Sequence, residues 1–143
     1  MEFKTVEHYS KEYWKLVRLR DKILREPLNL MFSEEELFLE NEQIHIGGFE
    51  NEIAIASLSL VILSPSLLKM RQVCVSSGFQ GKKIGKKLNE FTENWAMFNQ
   101  YKTIECNARE SAIPFYKSNG YTITGEQFFE LKIPHFKMTK TLI

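Results

Sequence analysis

The fold is decided by the stretch Val73-Cys74-Val75-Ser76-Ser77-Gly78-Phe79-Gln80-Gly81-Lys82-Lys83-Ile84-Gly85-Lys86-Lys87-Leu88. Its apolar start predicts the end of a strand, and the glycine-containing turn that follows leads into a helix. Amide groups at the start of a helix lack partners inside the helix and carry partial positive charge. This arrangement of strand, turn and helix therefore suits the binding of an anion such as a phosphate.

Two features of the 80–87 loop strengthen the prediction of a phosphate site. Gly81 and Gly85 allow a ligand to approach the backbone closely, and four lysines, Lys82, Lys83, Lys86 and Lys87, could neutralise phosphate charge. A solvated helix face beside a glycine turn is the simpler interpretation of the same pattern. The loop matches neither the P-loop pattern nor the dinucleotide-binding fingerprint, which disfavours those two nucleotide folds.

The composition indicates one ordinary globular domain. The chain has 143 residues, of which 43% are hydrophobic and 26% charged, and its 19 basic and 18 acidic residues leave a formal charge of +1. This balance disfavours binding to nucleic acid or to a membrane, so any basic function is local. No apolar run is long enough to cross a bilayer and the first residues lack a signal peptide's apolar centre, so we expect a cytoplasmic protein.

The two cysteines are predicted to be core thiols. Cys74 and Cys106 lie in strand-like segments without a CxxC pair or a nearby cluster of metal ligands. A catalytic thiol needs a base partner, and the three histidines are scattered along the chain. We therefore expect neither a metal site nor a cysteine nucleophile.

Hydrophobic periodicity predicts four helices and six strands. The helices run from Ser10 to Arg25 with Ser10 as a cap, from Glu34 to Phe38 with Ser33 as a cap, from Ile84 to about Gln100 and from Ser111 to Ser118. The strands are Ile44–Phe49, Ile53–Leu63, Leu67–Val75, Tyr101–Asn107, Tyr121–Thr124 and Leu131–Thr141. Hairpins give antiparallel neighbours and the crossover helix gives a parallel pair, so the sheet is predicted to be mixed.

Two motifs resemble the GNAT superfamily, the Gcn5-related N-acetyltransferases. The segment Gln80-Gly81-Lys82-Lys83-Ile84-Gly85 resembles the signature [Q/R]xxGx[G/A], with Lys83 in place of the middle glycine. The segment Ala112–Tyr121, with its Phe115-Tyr116 pair, resembles the second signature. Further similarity at 19–28 and 133–138 extends the resemblance to small bacterial members over most of the chain.

The resemblance implies one N-acetyltransferase domain over residues 1–143 with an α/β (α+β) fold, in which helices flank a mixed, twisted central sheet in the order ααβββαβαββ. It implies acetyl-CoA as co-substrate, with its pyrophosphate on the 80–87 loop. Cofactor-binding residues are then Val73, Cys74, Val75, Gln80, Gly81, Lys82, Lys83, Ile84, Gly85, Lys86, Lys87 and Asn107. Transfer to a primary amine of a small molecule or peptide would proceed by direct attack.

The resemblance also assigns candidate catalytic residues. Tyr116 matches the tyrosine that protonates the departing thiolate, and a phenol can supply that proton. Glu105 and His135 are candidates for the base that deprotonates the acceptor, although a solvent-facing carboxylate and a structural histidine are the alternatives. Arg109 stands where many relatives carry an asparagine that contacts the cofactor.

Several alternatives remain open at the level of sequence. The chain could be a non-catalytic CoA-binding or sensing module, and the lysine cluster could be a nucleic-acid patch, although no aromatic residues are interleaved with it. Glu34, Glu35 and Glu36 could attract a cationic amine or simply start a helix. The long final strand could pair across a homodimer.

Overall fold

The computed structural model describes residues 1–142 of the chain, which form one sheet with helices on both faces. The helices are α1 (Lys11–Arg20), α2 (Glu34–Phe38), α3 (Ile84–Phe98) and α4 (Ile113–Ser118). The strands are β1 (Glu2–Val6), β2 (Ile44–Glu50), β3 (Ile53–Ser64), β4 (Leu67–Val75), β5 (Thr103–Arg109), β6 (Thr122–Ile123), β7 (Phe128–Glu130) and β8 (Ile133–Thr141). The predicted mixed α/β fold is confirmed.

The strands are ordered β1-β2-β3-β4-β5-β8-β6, and β7 pairs with β8. Every neighbouring pair is antiparallel except β4 and β5, which are joined through α3 and run parallel. The parallel ladder extends only from the Leu67–Thr103 pair to the Met70–Cys106 pair. Beyond it, β4 continues along β3 while β5 continues along β8, so the sheet opens into a gap between its two central strands.

A β-bulge in β4 accounts for this gap. Ser59 pairs with Arg71 and Ser57 pairs with Cys74, so two residues of β4 lie opposite one residue of β3. Gln72, within the bulge, has a φ of 58°, in the left-handed region. A bulge bends the strand that carries it and increases its twist, and here it turns the end of β4 away from β5.

Two hydrophobic clusters hold the helices on the sheet. The larger one lies beneath α3 and α4 and includes Met70, Leu88, Ile104, Tyr116 and Met138, each less than 8% exposed. The smaller one packs α1 and α2 on the other face and comprises Tyr13, Val17, Phe32 and Leu37. Each helix thus buries its apolar stripe against the sheet, as its periodicity predicts.

A buried ion pair fixes α1 to the bulge. The guanidinium of Arg20, only 1% exposed, donates to both oxygens of Glu40 at 3.0 and 2.9 Å, and it also contacts Gln72. Tyr13 Oη donates to Glu40 Oε1 at 2.7 Å. Burial lowers the pKa of His45, whose Nε2 hydrogen is donated to the backbone carbonyl of Glu40 at 3.0 Å. Removing one partner of such a pair costs about 3–5 kcal/mol, so this network positions α1 against β4.

Three details differ from the sequence prediction, and a fourth agrees with it. Strand β1 was not predicted, although Glu2-Phe3-Lys4-Thr5-Val6 alternates in character. Helix α1 ends at Arg20, and a π-helical turn from Asp21 to Arg25 follows it. Leu131 and Lys132, with φ of 51° and 64°, form the turn between β7 and β8, so the last strand begins at Ile133 rather than at Leu131, and β7 was not predicted. The helix caps were predicted correctly, with Ser10 and Ser33 accepting backbone hydrogen bonds.

The final strand does not lie at an edge of the sheet. Within residues 1–142, β8 pairs with β5 on one side and with β6 and β7 on the other, which disfavours its pairing with a second copy, and a homodimer stays a prediction. Among residues 1–142, no helix is both long and apolar enough to cross a membrane.

Candidate active site

Seven consecutive amide groups are free at the start of α3. Within residues 1–142, no backbone or side-chain hydrogen bond has its donor in the amides from Gln80 to Lys86. The first turn of α3 closes only with the bond from Lys87 N to Lys83 O, and no side chain caps the helix. Such a row of amides at the positive end of a 15-residue helix can bind an anion.

The backbone of the 80–87 loop turns through two left-handed residues. Gly81 has a φ of 83° and Lys83 a φ of 61°. Glycine adopts this region freely, whereas a residue with a Cβ is strained there. Lys83 thus keeps the backbone path that its glycine counterpart would take, with its side chain exposed to solvent. The replacement leaves the row of free amides intact.

Contacts at both ends hold the loop in place. Gln80 Nε2 donates to the carbonyl of Val75 at 3.1 Å, which ties the loop to the end of β4. A Cβ at Gly85 would lie 3.2 Å from the ring of Phe115, so this glycine allows α3 to approach α4. The four lysines of the loop are exposed, and none has an acidic partner within residues 1–142.

A cavity of about 310 Å³, the central cavity, occupies the gap between β4 and β5. The π-helical turn, both strands, the start of α4 and the β7–β8 hairpin enclose it. Its lining residues are Ile23, Leu24, Arg25, Phe32, Lys69, Met70, Arg71, Gln72, Val73, Cys106, Asn107, Ala108, Arg109, Ala112, Tyr116, Glu130, Leu131, Ile133 and His135. The gap thus connects the two faces of the sheet. Tyr116 lies on the α3 side of the gap, and the π-helical turn that follows α1 lies on the other side.

Tyr116 lies on the α3 side of the cavity and is 7% exposed. Burial, with a smaller contribution from neighbouring Cys106, raises the pKa of its phenol well above the usual range. The phenol oxygen of Tyr116 neither donates nor accepts a hydrogen bond within the described chain. A phenol of this kind remains protonated at neutral pH and has its proton available for a ligand.

His135 lies on β8 among the residues that line the central cavity and is 6% exposed. Its Nδ1 is 2.7 Å from the backbone carbonyl of Ile133, and because a carbonyl can only accept, Nδ1 carries the hydrogen. Nε2 of the neutral ring is therefore left with a lone pair. The ring stacks on Phe128, which holds its orientation.

Glu105 does not lie in the central cavity with Tyr116 and His135. Its carboxylate is 3.7 Å from Lys137 Nζ, and Glu105 is not among the residues that line the central cavity of the described chain. The structure therefore brings Tyr116, His135, Asn107 and Val73 together and leaves Glu105 beside them on the sheet. The prediction of Glu105 as a catalytic base is not supported by this placement.

The cysteines are buried and inert as nucleophiles. Burial raises the pKa of Cys74 and of Cys106 to about 12, so both remain thiols at neutral pH. Cys74 faces α1, and Val73 and Val75 pack with the larger cluster. Successive residues of a strand direct their N–H groups to opposite edges of that strand. The N–H groups of Val73–Val75 that do not point to β3 therefore point into the gap between β4 and β5.

No group of three or more potential metal ligands occurs within residues 1–142.

Three of the four Lys and Arg residues that line the cavity were not predicted from the sequence: Arg25, Lys69 and Arg71. Lys69 and Arg71 are two residues apart on β4, as are Asn107 and Arg109 on β5, so strand alternation could have placed them on one face. Arg25 comes from the unpredicted π-helical turn. Glu36, proposed as part of an acidic attraction for a cationic amine, instead pairs with Arg25 at 2.9 Å and completes the cap of α2.

Comparisons with known proteins agree with this geometry. Residues 24–142 match the family model described as an acetyltransferase (GNAT) domain. The chain is 27% identical over 123 residues to YjcF, an uncharacterised N-acetyltransferase of Bacillus subtilis (strain 168), and the match covers 85% of this chain and 87% of that protein.

Two solved structures share the fold. The first is an N-acetyltransferase candidate from Lactobacillus plantarum, with a TM-score of 0.86, 19% identity and coverage of 100% of both chains. The second is an aminoglycoside 6'-N-acetyltransferase complexed with coenzyme A, with a TM-score of 0.82, 14% identity and coverage of 100% of this chain and 98% of that one. At these identities the likeness concerns the fold alone.

Proposed function

Because the chain belongs to the GNAT family of acetyltransferases and is an N-acetyltransferase, we propose that it transfers acetyl from acetyl-CoA to a primary amine by direct attack in the central cavity. The observation that carries the proposal is the pairing of seven free amides at the start of α3 with an open gap between β4 and β5. The amides suit the pyrophosphate, and the gap suits the pantetheine arm.

Binding would use the backbone more than side chains. The amides from Gln80 to Lys86 bind the pyrophosphate, and Lys82, Lys83, Lys86 and Lys87 neutralise its charge. The free amides of Val73–Val75 lie along the pantetheine, and one of them donates to the thioester carbonyl. A donor aimed at developing negative charge is worth roughly 3 kcal/mol, so the bulge in β4 contributes directly to catalysis.

The chemistry needs one proton acceptor and one proton donor. An amine that arrives as ammonium gives a proton to Nε2 of His135, and the neutral nitrogen then attacks the thioester carbon. The carbon–sulfur bond breaks as the amide forms. Tyr116 protonates the departing sulfur, and the phenolate regains a proton from the nitrogen, which must lose its second proton as the amide forms. Both groups line the same cavity and their orientations are fixed by burial, which favours direct transfer.

Tyr116→Phe tests this assignment, because phenylalanine keeps the packing and removes the proton. We expect kcat for thiol release from acetyl-CoA, measured on a panel of primary amines, to fall roughly 100-fold. The affinity for CoA, measured by calorimetry, should not change. Tyr9→Phe, on an exposed tyrosine outside the cavity, is the matched control and should leave both values unchanged.

Each outcome of this experiment discriminates between functions. An unchanged kcat in Tyr116→Phe would rule out the phenol as the acid. CoA binding by the wild-type protein without transfer to any amine would favour a non-catalytic CoA-binding module instead.

A further inference from the structure

The central cavity concentrates positive charge in a nearly neutral protein. Four basic residues line it, Arg25, Lys69, Arg71 and Arg109, against one acid, Glu130. The whole chain carries a formal charge of only +1. A cavity with walls of low dielectric strengthens such a local field, so it selects ligands by charge.

Three of these cations have no acidic partner. Arg25 is paired with Glu36 at 2.9 Å and lies 3.9 Å from the ring of Phe32. Lys69, Arg71 and Arg109 have no Asp or Glu oxygen within 4.0 Å in the part of the chain that the structure describes. Arg109 is half-buried, where an uncompensated charge is costly. This cost would be offset by an anionic ligand.

Sheet register places the unpaired cations on one face. Lys69 pairs in register with Glu105, and Arg109 pairs with His135. Residues in register across neighbouring strands direct their side chains to the same face, and so do residues two apart. Lys69, Arg71, Arg109 and His135 therefore share the face on which α1 and the π-helical turn lie. Glu105 lies on the same face, where its carboxylate is paired with Lys137 at 3.7 Å.

These cations are separate from the site proposed for the cofactor phosphates. None of the residues from Gln80 to Lys87 lines the central cavity. The loop has its own free amides and its own four exposed lysines. The charge on the α1 face is thus available to the other substrate.

Building on the proposed acetyl transfer, we propose that the acceptor is a primary amine that also carries a carboxylate or phosphate group, held by Arg71 and Arg109 with Lys69 beside them. The planar fork of a guanidinium binds both oxyanions with two parallel hydrogen bonds. Polycationic amines are disfavoured by this field.

Matched amines test the proposal. O-phosphoethanolamine and β-alanine carry the anion, and ethanolamine and β-alaninamide are their counterparts without it; spermidine is the polycation. We expect kcat/KM with acetyl-CoA to be on the order of 10 to 100 times higher for an anionic amine than for its counterpart, and lowest for spermidine. A preference between the two anionic amines would identify phosphate or carboxylate as the group recognised.

Substitutions of single arginines test which residues cause the preference for anionic amines. Arg71→Gln and Arg109→Gln should each remove most of this preference while leaving the affinity for CoA unchanged. Arg18→Gln removes an equal charge from an exposed position of α1 outside the cavity and should keep the preference. A loss of CoA affinity in the cavity variants would assign the arginines to the cofactor and overturn the proposal.

A binding measurement separates this inference from the proposed function. Amide NMR spectra of the protein with CoA are recorded as O-phosphoethanolamine or ethanolamine is added. Shifts around Arg71, Arg109 and His135 with the phosphorylated amine, and none with ethanolamine, would support an anion site. If no amine is acetylated in the same experiments, the anion site would stand and only acetyl transfer would be rejected. If ethanolamine or spermidine is acetylated at least as fast as the anionic amines are, the proposed acetyl transfer stands and the proposal of an anionic acceptor is rejected.

Discussion

At the scale of single residues, Lys83 is the main departure from the family signature. The resemblance alone could not say whether a lysine in place of glycine changes the loop, because a side chain's effect depends on the backbone angle beneath it. The φ of 61° shows that the lysine accepts the left-handed conformation that glycine prefers. The loop geometry is therefore kept at a cost in backbone strain.

Lys83→Gly should remove this strain. A left-handed conformation costs a residue with a Cβ about 1–2 kcal/mol, and the greater freedom of glycine in the unfolded chain returns about 0.5–1 kcal/mol. We expect the free energy of unfolding, measured by urea titration, to rise by about 0.5–1 kcal/mol. Lys82→Gly, at a neighbour without a positive φ, is the control and should lower it. Destabilisation of both variants alike would show that Lys83 is not strained.

At the scale of secondary-structure elements, the packing of α1 depends on a glycine in β2. A Cβ built on Gly47 would lie 2.7 Å from Leu16 Cδ2 and 2.8 Å from Phe49 Cε2. Both side chains are buried, at 2% and 4% exposure, so neither can move away freely. The absence of a side chain at Gly47 thus lets α1 approach the sheet and present its C-terminal extension to the central cavity.

Gly47→Ala should push α1 away from the sheet. Overpacking of a dense core costs about 1–3 kcal/mol, so we expect a loss of that size in the free energy of unfolding, read from chemical denaturation. Gly78→Ala is the matched control, because a Cβ there meets nothing within 4 Å and φ is not positive; its effect should stay within about 0.5 kcal/mol. Equal losses in the two variants would contradict close packing at Gly47.

Elements with strong local signals were predictable from sequence. The caps at Ser10 and Ser33, the stripe of α3 and the strand Leu67–Val75 each follow from patterns within about 15 residues. The bulge at Gln72 and the cavity cations could not be predicted in the same way. They depend on how β3, β4 and β5 pair, which is a contact between distant segments rather than a local preference.

The candidate site was predictable to a similar extent. The 80–87 loop and Tyr116 carry recognisable motifs, and Gly85 of the loop packs against Phe115, the neighbour of Tyr116. The roles of these residues stay predictions. Glu105 and His135 could not be distinguished by sequence because both lie on strands near the gap. The structure distinguishes them, because Glu105 pairs with Lys137 whereas His135 lines the central cavity.

At the scale of the whole molecule, charge is divided between two places that the sheet separates. The lysines of the 80–87 loop lie at the start of α3, and the arginines of the central cavity lie on the α1 face. The gap between β4 and β5 connects them. A molecule with phosphates at one end and a reactive thioester at the other fits this arrangement, because its neutral arm would run through the gap.

In the proposed function, CoA lies across this gap with its pyrophosphate on the amides of the 80–87 loop. The most direct test is a titration of the ¹⁵N-labelled protein with CoA, followed by amide NMR. We expect the largest shifts on the amides from Gln80 to Lys86 and a second group of shifts on Val73–Val75. Large shifts elsewhere with these two groups unchanged, or no shifts at millimolar CoA, would contradict it.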